Sequence, residues 1–258
     1  MTSLDSANIS VILLAGGKGV RFSSVAPKQF LLLNGKPIAR HSFDLFISCP
    51  FIKQIVVVCE EAFAFVFSDD SKKVAFATPG KERQDSVYNG MQKIDPHCDL
   101  ICIHDSARPL LEKKDLIHVL EEGRKYGAAV LGVRAKNTIK EVTANGFVKK
   151  TLERALLWEV QTPQIMMLDL LKKGFAKAKE QNLTVTDDVS LVECLGHRVK
   201  LVEGSYENEK ITTEQDLSLA ESILRKRPCT NTKHSSPTTA HPLEDGKCNQ
   251  MPPPSKTS

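Results

Sequence analysis

Short apolar runs alternate along the chain with longer stretches in which apolar residues recur at helical spacing. The apolar runs predict strands covered on both faces. They are Ile9–Leu14, Gln54–Cys59, Val74–Ala77, Leu100–His104, Ala128–Val133 and Val199–Glu203. The stretches between them predict helices over Ile38–Ser48, Gln84–Ile94, Lys114–Tyr126, Met167–Gln181 and Thr213–Leu224. This alternation predicts an α/β fold with a mostly parallel sheet and helices on both faces.

Residues 138–151, with the sequence TIKEVTANGFVKKT, break this alternation. Two short alternating runs flank Asn145-Gly146, and such a pair supplies the positive φ values of a tight hairpin turn. Both runs are too polar for a central strand, so we expect a projecting arm. The arm would expose four apolar side chains, Ile139, Val142, Phe147 and Val148. Such a face favours a dimer contact over a solvated surface hairpin.

The two ends of the chain differ from the part between them. We expect a leader over 1–8, one folded domain over 9–224 and a disordered tail over 225–258. The tail holds six of the 13 prolines and few large apolar residues, so it cannot bury enough surface to offset its ordering entropy.

Composition and residue pattern argue against a nucleic-acid partner, a membrane span, an N-terminal targeting peptide and a zinc site. The six basic and two acidic residues of 225–258 account for the whole net charge of +4, so the rest of the chain is neutral and gives no reason to expect a nucleic-acid partner. No apolar run approaches the ~20 residues of a membrane span. Met1–Ser10 has neither the secretory nor the transit-peptide pattern. Seven scattered cysteines without a C-x-x-C pair suit a reducing compartment and not a zinc site.

Candidate chemistry begins where the first strand ends, in the sequence LLAGGKGVRF. Glycines at such a point let backbone N–H groups approach phosphate oxygens. The run is not a P-loop, because Lys18 is followed by Gly19, nor does it match G-x-G-x-x-G. A simple strand-exit turn is the alternative. Two nearby cations, Arg21 and Lys28, favour a triphosphate site.

The predicted fourth strand leads into a second candidate site, His104-Asp105-Ser106. Ligands of open parallel sheets bind beyond the carboxyl ends of strands. Asp105 therefore suits Mg²⁺, which takes one or two carboxylates together with phosphate oxygens. The alternative is that Asp105 or Ser106 caps the next segment. We expect His104 to be packed within the strand and not to act as a base.

The segment 78–87 leads from the third predicted strand into a helix. Its backbone N–H groups and Ser86 could contact a base edge or a phosphate. A helix start with Asp or Ser is otherwise structural.

Seven motifs, in order, resemble the 2-C-methyl-D-erythritol 4-phosphate cytidylyltransferase family, most closely its plant plastid form. They are LLAGGKGVRF, PKQF, GKERQDSV, HDSARP, TLERALLWEVQTPQ, TDD at Thr186–Asp188, and NEKITTEQDL. The resemblance spans Ile9 to Leu224. It implies a Rossmann-like nucleotidyltransferase fold and cytidylyl transfer from CTP to 2-C-methyl-D-erythritol 4-phosphate. The products would be 4-diphosphocytidyl-2-C-methyl-D-erythritol and pyrophosphate, in the non-mevalonate isoprenoid pathway.

The resemblance also implies a role for each matching residue. Contacts to CTP would come from Ala15, Gly16, Gly17, Gly80, Lys81, Arg83, Ser86, Asp105 and Ser106, and Asp105 would hold Mg²⁺. The catalytic residues would be Arg21, Lys28, Arg154 and Lys210. The methylerythritol phosphate would be bound by Arg108, Thr138, Arg154 and Lys210. Thr138 and Arg154 would reach the partner's active site from the arm of a homodimer.

Three departures from the bacterial family pattern occur, at Pro79, Ser106 and Glu209. Glu209 would weaken phosphate binding by Lys210 unless its side chain points away. Three other activities stay open: a ribitol 5-phosphate cytidylyltransferase, a sugar-1-phosphate nucleotidyltransferase using UTP or GTP, and a non-catalytic nucleotide-binding protein on the same fold. The expected location is the plastid stroma for a photosynthetic eukaryote and the cytoplasm otherwise.

Overall fold

The structure is a computed structural model that describes residues 4, 6–17, 27–69 and 73–227. The predicted cation Arg21 and residues 228–258 of the predicted tail lie outside the described residues. No helix within the described ranges is long and apolar enough to cross a membrane.

Seven strands form one sheet. They are β1 (Ile9–Leu14), β4 (Ile52–Val58), β5 (Val74–Ala77), β6 (Leu100–Asp105), β7 (Ala128–Arg134), β10 (Trp158–Met167) and β11 (Lys200–Glu203). Their order across the sheet is β11-β7-β10-β6-β1-β4-β5. Only β10 runs antiparallel to its neighbours, β6 and β7; the other pairs in the sheet are parallel. The predicted mostly parallel sheet is confirmed.

Six α-helices, two small hairpins and three 3-10 helices (Lys28–Phe30, Glu61–Phe67 and Arg154–Leu156) complete the described fold. The helices are α1 (Ile38–Ile47), α2 (Arg83–Met91), α3 (Lys113–Tyr126), α4 (Leu168–Glu180), α5 (Ser190–Glu193) and α6 (Glu214–Lys226). The hairpins pair β2 (Leu32–Leu33) with β3 (Lys36–Pro37) and β8 (Lys140–Val142) with β9 (Val148–Thr151). Helices α1 and α3 cover one face of the sheet, and α2, α4 and α5 cover the other.

Successive side chains of β1 point to opposite faces of the sheet and so contribute to both halves of the core. Val11 and Leu13 point into the core beneath α1 and α3, whereas Ile12 and Leu14 point into the core beneath α2 and α4. All four are buried. A strand buried on both faces reads as a continuous apolar run, and this is why the pattern predicts β1 with its observed bounds.

Strand β10 is absent from the predicted elements. Its sequence, WEVQTPQIMM, contains no continuous apolar run, because Gln161, Thr162 and Gln164 occupy buried positions in its middle. These polar side chains are paired with backbone groups of the site described below. Hydrophobic periodicity cannot identify a strand whose buried residues are polar.

The arm is confirmed as a hairpin that turns at the predicted Asn145-Gly146 pair, but the expectation of a positive φ at both residues is wrong. Only Gly146 of the Asn145-Gly146 pair takes a positive φ, +83°. The N–H of Gly146 donates to the carbonyl of Thr143 at 2.9 Å, which closes a turn with a single left-handed residue at its end. The apolar side chains of the arm are exposed, Phe147 to 74%.

Both ends of the described chain contact the domain. Leu4, in the predicted leader, is fully buried. Helix α6 continues to Lys226, beyond the predicted end at Leu224. Residues 225 and 226 of the predicted tail thus belong to α6, and Arg227 donates to the Leu110 carbonyl at 3.0 Å and to Glu207 at 3.0 Å.

We predict that Gly174→Ala destabilises the protein, although alanine normally stabilises a helix interior by ~1 kcal/mol relative to glycine. A Cβ on Gly174 would stand 2.5 Å from the carbonyl oxygen of Leu191, because α4 lies directly against α5. Overpacking of this kind costs ~1–3 kcal/mol. The measurement is the free energy of unfolding in urea.

The matched control is Lys173→Ala, at the adjacent exposed position of α4. It should change the unfolding free energy by less than ~0.5 kcal/mol. A Gly174→Ala protein more stable than the wild type would show that α4 and α5 are not packed this closely.

Candidate functional site

An open cleft of about 380 Å³ lies at the carboxyl ends of β1 and β6. The two strands are adjacent and in register, with Leu14 opposite Asp105, so the loops that follow them meet at this edge. The cleft is lined by Leu14, Gly16, Gly17, Lys28, Gln29, Gly80, Lys81, Glu82, Arg83, Ser86, Asp105, Ser106, Ala107, Lys210 and Thr212. Four cations and two carboxylates face it, so the cleft suits a polyanionic ligand.

The glycine loop after β1 forms one wall. Ala15 continues the sheet by donating its N–H to the Val58 carbonyl at 2.9 Å. Gly17 has a φ of +111°, a conformation that favours glycine. The Gln29 side-chain amide donates to the carbonyls of Ala15 at 2.8 Å and Gly17 at 3.2 Å. The loop is thus held to the fold by two independent sets of hydrogen bonds.

The turn before α2 lines the cleft beside the glycine loop, since a Cβ on Gly16 would stand 2.7 Å from the Pro79 side chain. The N–H of Gly80 donates to the Ser86 hydroxyl at 2.9 Å, and this hydroxyl donates to the Glu82 carbonyl at 3.2 Å. Asp85 accepts from the Glu82 N–H at 3.1 Å, which caps the helix. Ser86 lines the cleft but also holds the Gly80–Lys81 turn in place, so its predicted functional and structural roles are both compatible with its position.

Opposite charges meet at the floor of the cleft around Asp105. Lys210 Nζ contacts Asp105 Oδ2 at 2.6 Å, and Arg83 contacts Oδ1 at 3.2 Å. The Arg83 guanidinium also forms a bidentate pair with Asp188, with N···O distances of 2.6 and 2.7 Å. Arg83 therefore bridges the two acids and is held in one orientation by the fork geometry.

These pairs fix the charge state of Asp105. Burial alone would raise the pKa of this carboxyl, but Arg83 and Lys210 more than reverse the effect and hold the pKa well below its usual range. Burial on its own would lower the pKa of Arg83, and the Asp188 and Asp105 carboxylates raise it above its ordinary value. Asp105 is thus an anion at neutral pH although its side chain is only 10% exposed.

A chain of hydrogen bonds between uncharged groups holds the backbone of Asp105 in place. The Asp105 N–H donates to the Thr162 hydroxyl at 3.1 Å, and this hydroxyl lies 3.0 Å from His104 Nδ1. His104 Nε2 lies 3.2 Å from the Arg108 carbonyl, which can only accept, so Nε2 carries the proton. Burial lowers the pKa of His104 to about 4, so the ring is neutral at pH 7. His104 is a packed strand residue, as predicted.

The loop that carries Lys210 is tied to the same framework through Asn208. Its fully buried amide donates to Gln161 at 3.1 Å and to the Thr162 carbonyl at 2.9 Å. Arg108 donates to the Asn208 carbonyl at 2.7 Å. Glu209, between Asn208 and Lys210, is exposed. Burial lowers the pKa of Arg108, and the carboxylates of Asp105 and Glu209 oppose that lowering without reversing it.

The structure brings most of the sequence-predicted site residues into one cleft, but not all of them. Arg108 is half-buried, does not line the cleft and donates to the Asn208 carbonyl. Thr138 and Arg154 are exposed at the arm, where Arg154 donates to the Lys136 carbonyl at 3.0 Å. Ser106 is 1% exposed and lines the cleft, and its hydroxyl has no hydrogen-bond partner among the described residues.

Several side chains that organise the site received no individual role from the sequence. Asp188, Thr162, Gln164 and Asn208 are examples. Gln164 Oε1 accepts from the N–H groups of Asp188 and Val189 at 2.8 and 3.0 Å, and so fixes the loop that carries Asp188. The one available signal was that these residues fall inside the motifs that carry the resemblance.

We predict that Asp188→Asn lowers the unfolding free energy by ~1–3 kcal/mol, because it leaves the Arg83 guanidinium without its bidentate partner. The loss of unfolding free energy should be smaller than for a fully buried ion pair, because the Arg83 side chain is 32% exposed and solvent screens its charge. The measurement is urea unfolding at neutral pH.

The control is Asp44→Asn. Asp44 also contacts two cations, Lys36 and Arg40, each at 2.6 Å, but it is 35% exposed. Its replacement should cost less than ~1 kcal/mol. Equal losses in the two variants would contradict a special role for the Arg83–Asp188 pair.

Comparison with known proteins agrees with this geometry. The family model described as IspD, 2-C-methyl-D-erythritol 4-phosphate cytidylyltransferase, matches residues 9–226. The chloroplastic 2-C-methyl-D-erythritol 4-phosphate cytidylyltransferase of Oryza sativa subsp. japonica is 51% identical over 229 residues, which are 87% of this chain and 77% of the relative.

Two solved structures show the same fold. The 2-C-methyl-D-erythritol 4-phosphate cytidylyltransferase of Francisella tularensis superposes with a TM-score of 0.73 at 35% identity, over 84% of this chain and 99% of that one. The 4-diphosphocytidyl-2C-methyl-D-erythritol synthase of Anaerococcus prevotii superposes with a TM-score of 0.77 at 25% identity, over 85% and 99% of the two chains. The chain belongs to the 2-C-methyl-D-erythritol 4-phosphate cytidylyltransferase family and is an enzyme of the non-mevalonate isoprenoid pathway, with CTP-dependent cytidylylation of 2-C-methyl-D-erythritol 4-phosphate as its activity.

Proposed function

We propose that the transfer takes place in the cleft at the ends of β1 and β6, with the triphosphate of CTP between the glycine loop and the Gly80–Lys81 turn. The observation that carries this proposal is that the glycine loop, Lys28 and the Lys210–Asp105 ion pair all line one cavity. A phosphate oxygen of the acceptor attacks the α-phosphorus of CTP. The bond from that phosphorus to the bridging oxygen breaks, and pyrophosphate leaves with the electron pair.

This reaction needs no general base, because the attacking phosphate is already an anion at neutral pH. Its barrier comes from bringing two polyanions together and from the charge that develops on the leaving pyrophosphate. Fixed cations and backbone N–H groups reduce both costs by positioning and electrostatic stabilisation. The scheme assigns no proton transfer to His104, whose buried ring is neutral at pH 7 because burial lowers its pKa to about 4.

The cations have separate proposed roles. Lys28 lines the cleft together with Gly16 and Gly17 and would stabilise charge at the α-phosphate, together with Arg21. Lys210 has three N–H donors, of which Asp105 engages one, and its side chain is 37% exposed, so it can also bind the acceptor phosphate. Arg83 would place positive charge beside the bound nucleotide. Arg108 would hold the loop that carries Lys210 through its hydrogen bond to the Asn208 carbonyl.

A divalent ion fits the chemistry of Asp105. Its carboxylate is charged and faces the cleft, and Mg²⁺ typically combines one or two carboxylates with phosphate oxygens. No group of three or more His, Cys, Asp or Glu side chains gathers within the described part of the chain, so the remaining ligands would come from CTP and water. When bound to Asp105, Mg²⁺ supplies neutralisation of triphosphate charge.

The arm is proposed to complete the active site of a second copy of the chain. Supporting this, Thr138 and Arg154 are exposed and do not line the cleft of their own chain. Three apolar side chains of the arm are more than half exposed, Val142 at 54%, Phe147 at 74% and Val148 at 60%. A second copy would cover such a surface.

The proposed location is the plastid stroma. Its support is the chloroplastic relative from rice, at 51% identity.

The proposed function predicts pyrophosphate release that requires CTP and 2-C-methyl-D-erythritol 4-phosphate together. Chelation of divalent ions by EDTA should abolish the release, and excess Mg²⁺ should restore it, because the ion would offset triphosphate charge beside Asp105. The measurement is a coupled pyrophosphate assay on the full chain. Ribitol 5-phosphate as acceptor, and UTP or GTP as donor, serve as controls and should be slower.

Two results would contradict this prediction. Faster release with ribitol 5-phosphate would reassign the acceptor. Calorimetric binding of CTP with Mg²⁺ but no pyrophosphate release with any acceptor would indicate a non-catalytic nucleotide-binding protein.

The proposed composite site predicts complementation between two inactive variants. Lys210→Ala removes a cation from a subunit's own cleft, whereas Arg154→Ala removes one given to the partner, and each should lower kcat by ~10²–10³. A heterodimer of one subunit of each kind, purified through two different tags, holds one intact cleft. It should show about half the wild-type turnover per dimer.

The control is a heterodimer that pairs Lys210→Ala with the wild-type chain, which should also show about half the wild-type turnover. If Arg154 acted within its own subunit, every cleft of the mixed heterodimer would lack one cation. Turnover would then stay as low as in the two homodimers.

A further inference from the structure

Gln29 is a buried polar side chain of the cleft to which the proposed mechanism gives no task. It is 4% exposed and lies in the single-turn 3-10 helix Lys28–Phe30, beside the proposed catalytic Lys28. A buried side-chain amide is costly unless its donors are paired. Here both contacts of its nitrogen go to the glycine loop.

The two hydrogen bonds of Gln29 fix the directions in which backbone N–H groups of the glycine loop point. Gln29 Nε2 donates to the Ala15 carbonyl at 2.8 Å and to the Gly17 carbonyl at 3.2 Å. In a trans peptide the C=O and N–H of one plane point in opposite directions. The hydrogen bond to the Ala15 carbonyl therefore fixes the direction of the Gly16 N–H, which belongs to the same peptide plane. The hydrogen bond to the Gly17 carbonyl fixes the peptide plane that follows Gly17.

The glycine loop requires such a restraint. Glycine populates many backbone conformations, so a glycine loop loses more entropy than other loops when it is ordered around a ligand. Among the described residues of the loop, the sheet holds Ala15 alone, through the hydrogen bond from its N–H to the Val58 carbonyl. Gln29 restrains the two ends of the Gly16-Gly17 pair and so lowers the entropy cost of binding phosphate.

We infer that Gln29 is a positioning residue that preorganises the backbone donors of the glycine loop for the phosphates of CTP. The inference rests on the proposed placement of CTP and deepens it. Gln29 acts through Gly16 and Gly17, so its removal should weaken binding of every ligand that places phosphates on the loop. Binding of the acceptor, whose phosphate is assigned to Lys210, should not change.

The test compares Gln29→Met and Gln29→Asn with the wild-type chain in steady-state kinetics. Methionine keeps the length of the side chain without a donor, and asparagine keeps the amide but is one methylene too short to reach both carbonyls. Both variants should raise KM for CTP about tenfold, the effect of losing one or two hydrogen bonds. The inhibition constant of inorganic pyrophosphate against CTP should rise at least about threefold, and KM for methylerythritol phosphate should stay within about twofold.

The matched control is Gln54→Met. Gln54 also bridges two segments, since it donates to the Lys93 carbonyl at 2.9 Å and accepts from the Asp95 N–H at 2.9 Å. It does not line the cleft. Its replacement should leave KM for CTP within about twofold, which separates the proposed role from a general loss of packing.

The outcomes are distinguishable. A wild-type chain that releases no pyrophosphate would overturn the proposed function itself. With an active wild type, unchanged KM for CTP in both Gln29 variants, or a rise confined to KM for the acceptor, would overturn the positioning role. Thermal melts of each variant identify unfolding, and if Gln29→Met does not fold, Gln29→Asn carries the same comparison.

Discussion

The structure depends on one buried carboxylate, Asp105, and on the cations that keep it charged. An isolated buried charge is too costly to persist, so Asp105 requires partners. Arg83 and Lys210 supply them from positions 22 and 105 residues away in the sequence. Folding must therefore bring these segments together, and the same step gathers the positive charge that a polyanionic substrate needs.

Neutral groups provide the framework on which these charges are held. Thr162 joins the backbone of Asp105 to His104, and Asn208 joins the Lys210 loop to Gln161 and Thr162. Because these groups carry no net charge at pH 7, they fix positions without changing the electrostatic balance of the cleft. The division between a neutral framework and a charged lining suits a reaction controlled by positioning.

The sequence predicts the parts of the site that follow from strand patterning. The apolar run of β1 predicts its bounds, and the rule for carboxyl ends of parallel strands places the glycine loop beside Asp105. The pattern misses β10, whose buried residues are polar, and it contains no information on the Arg83–Asp188 pair, which spans 105 residues. The resemblance assigns a role to Arg83 but none to Gln29, because a positioning side chain is recognised only from the bonds it makes.

Strand β10, which runs antiparallel to both of its neighbours in the seven-stranded sheet, links two regions that would otherwise be separate. The Trp158 end of β10 pairs with the end of β7 that leads into the arm, while the irregular stretch between Val160 and Gln164 places Thr162 against Asp105. A residue inserted into this strand would shift both the base of the arm and the floor of the cleft. Natural variation in length should therefore be tolerated at the tip of the arm, near Gly146, and excluded from β10, so that the base of the arm and the substrate cleft evolve together.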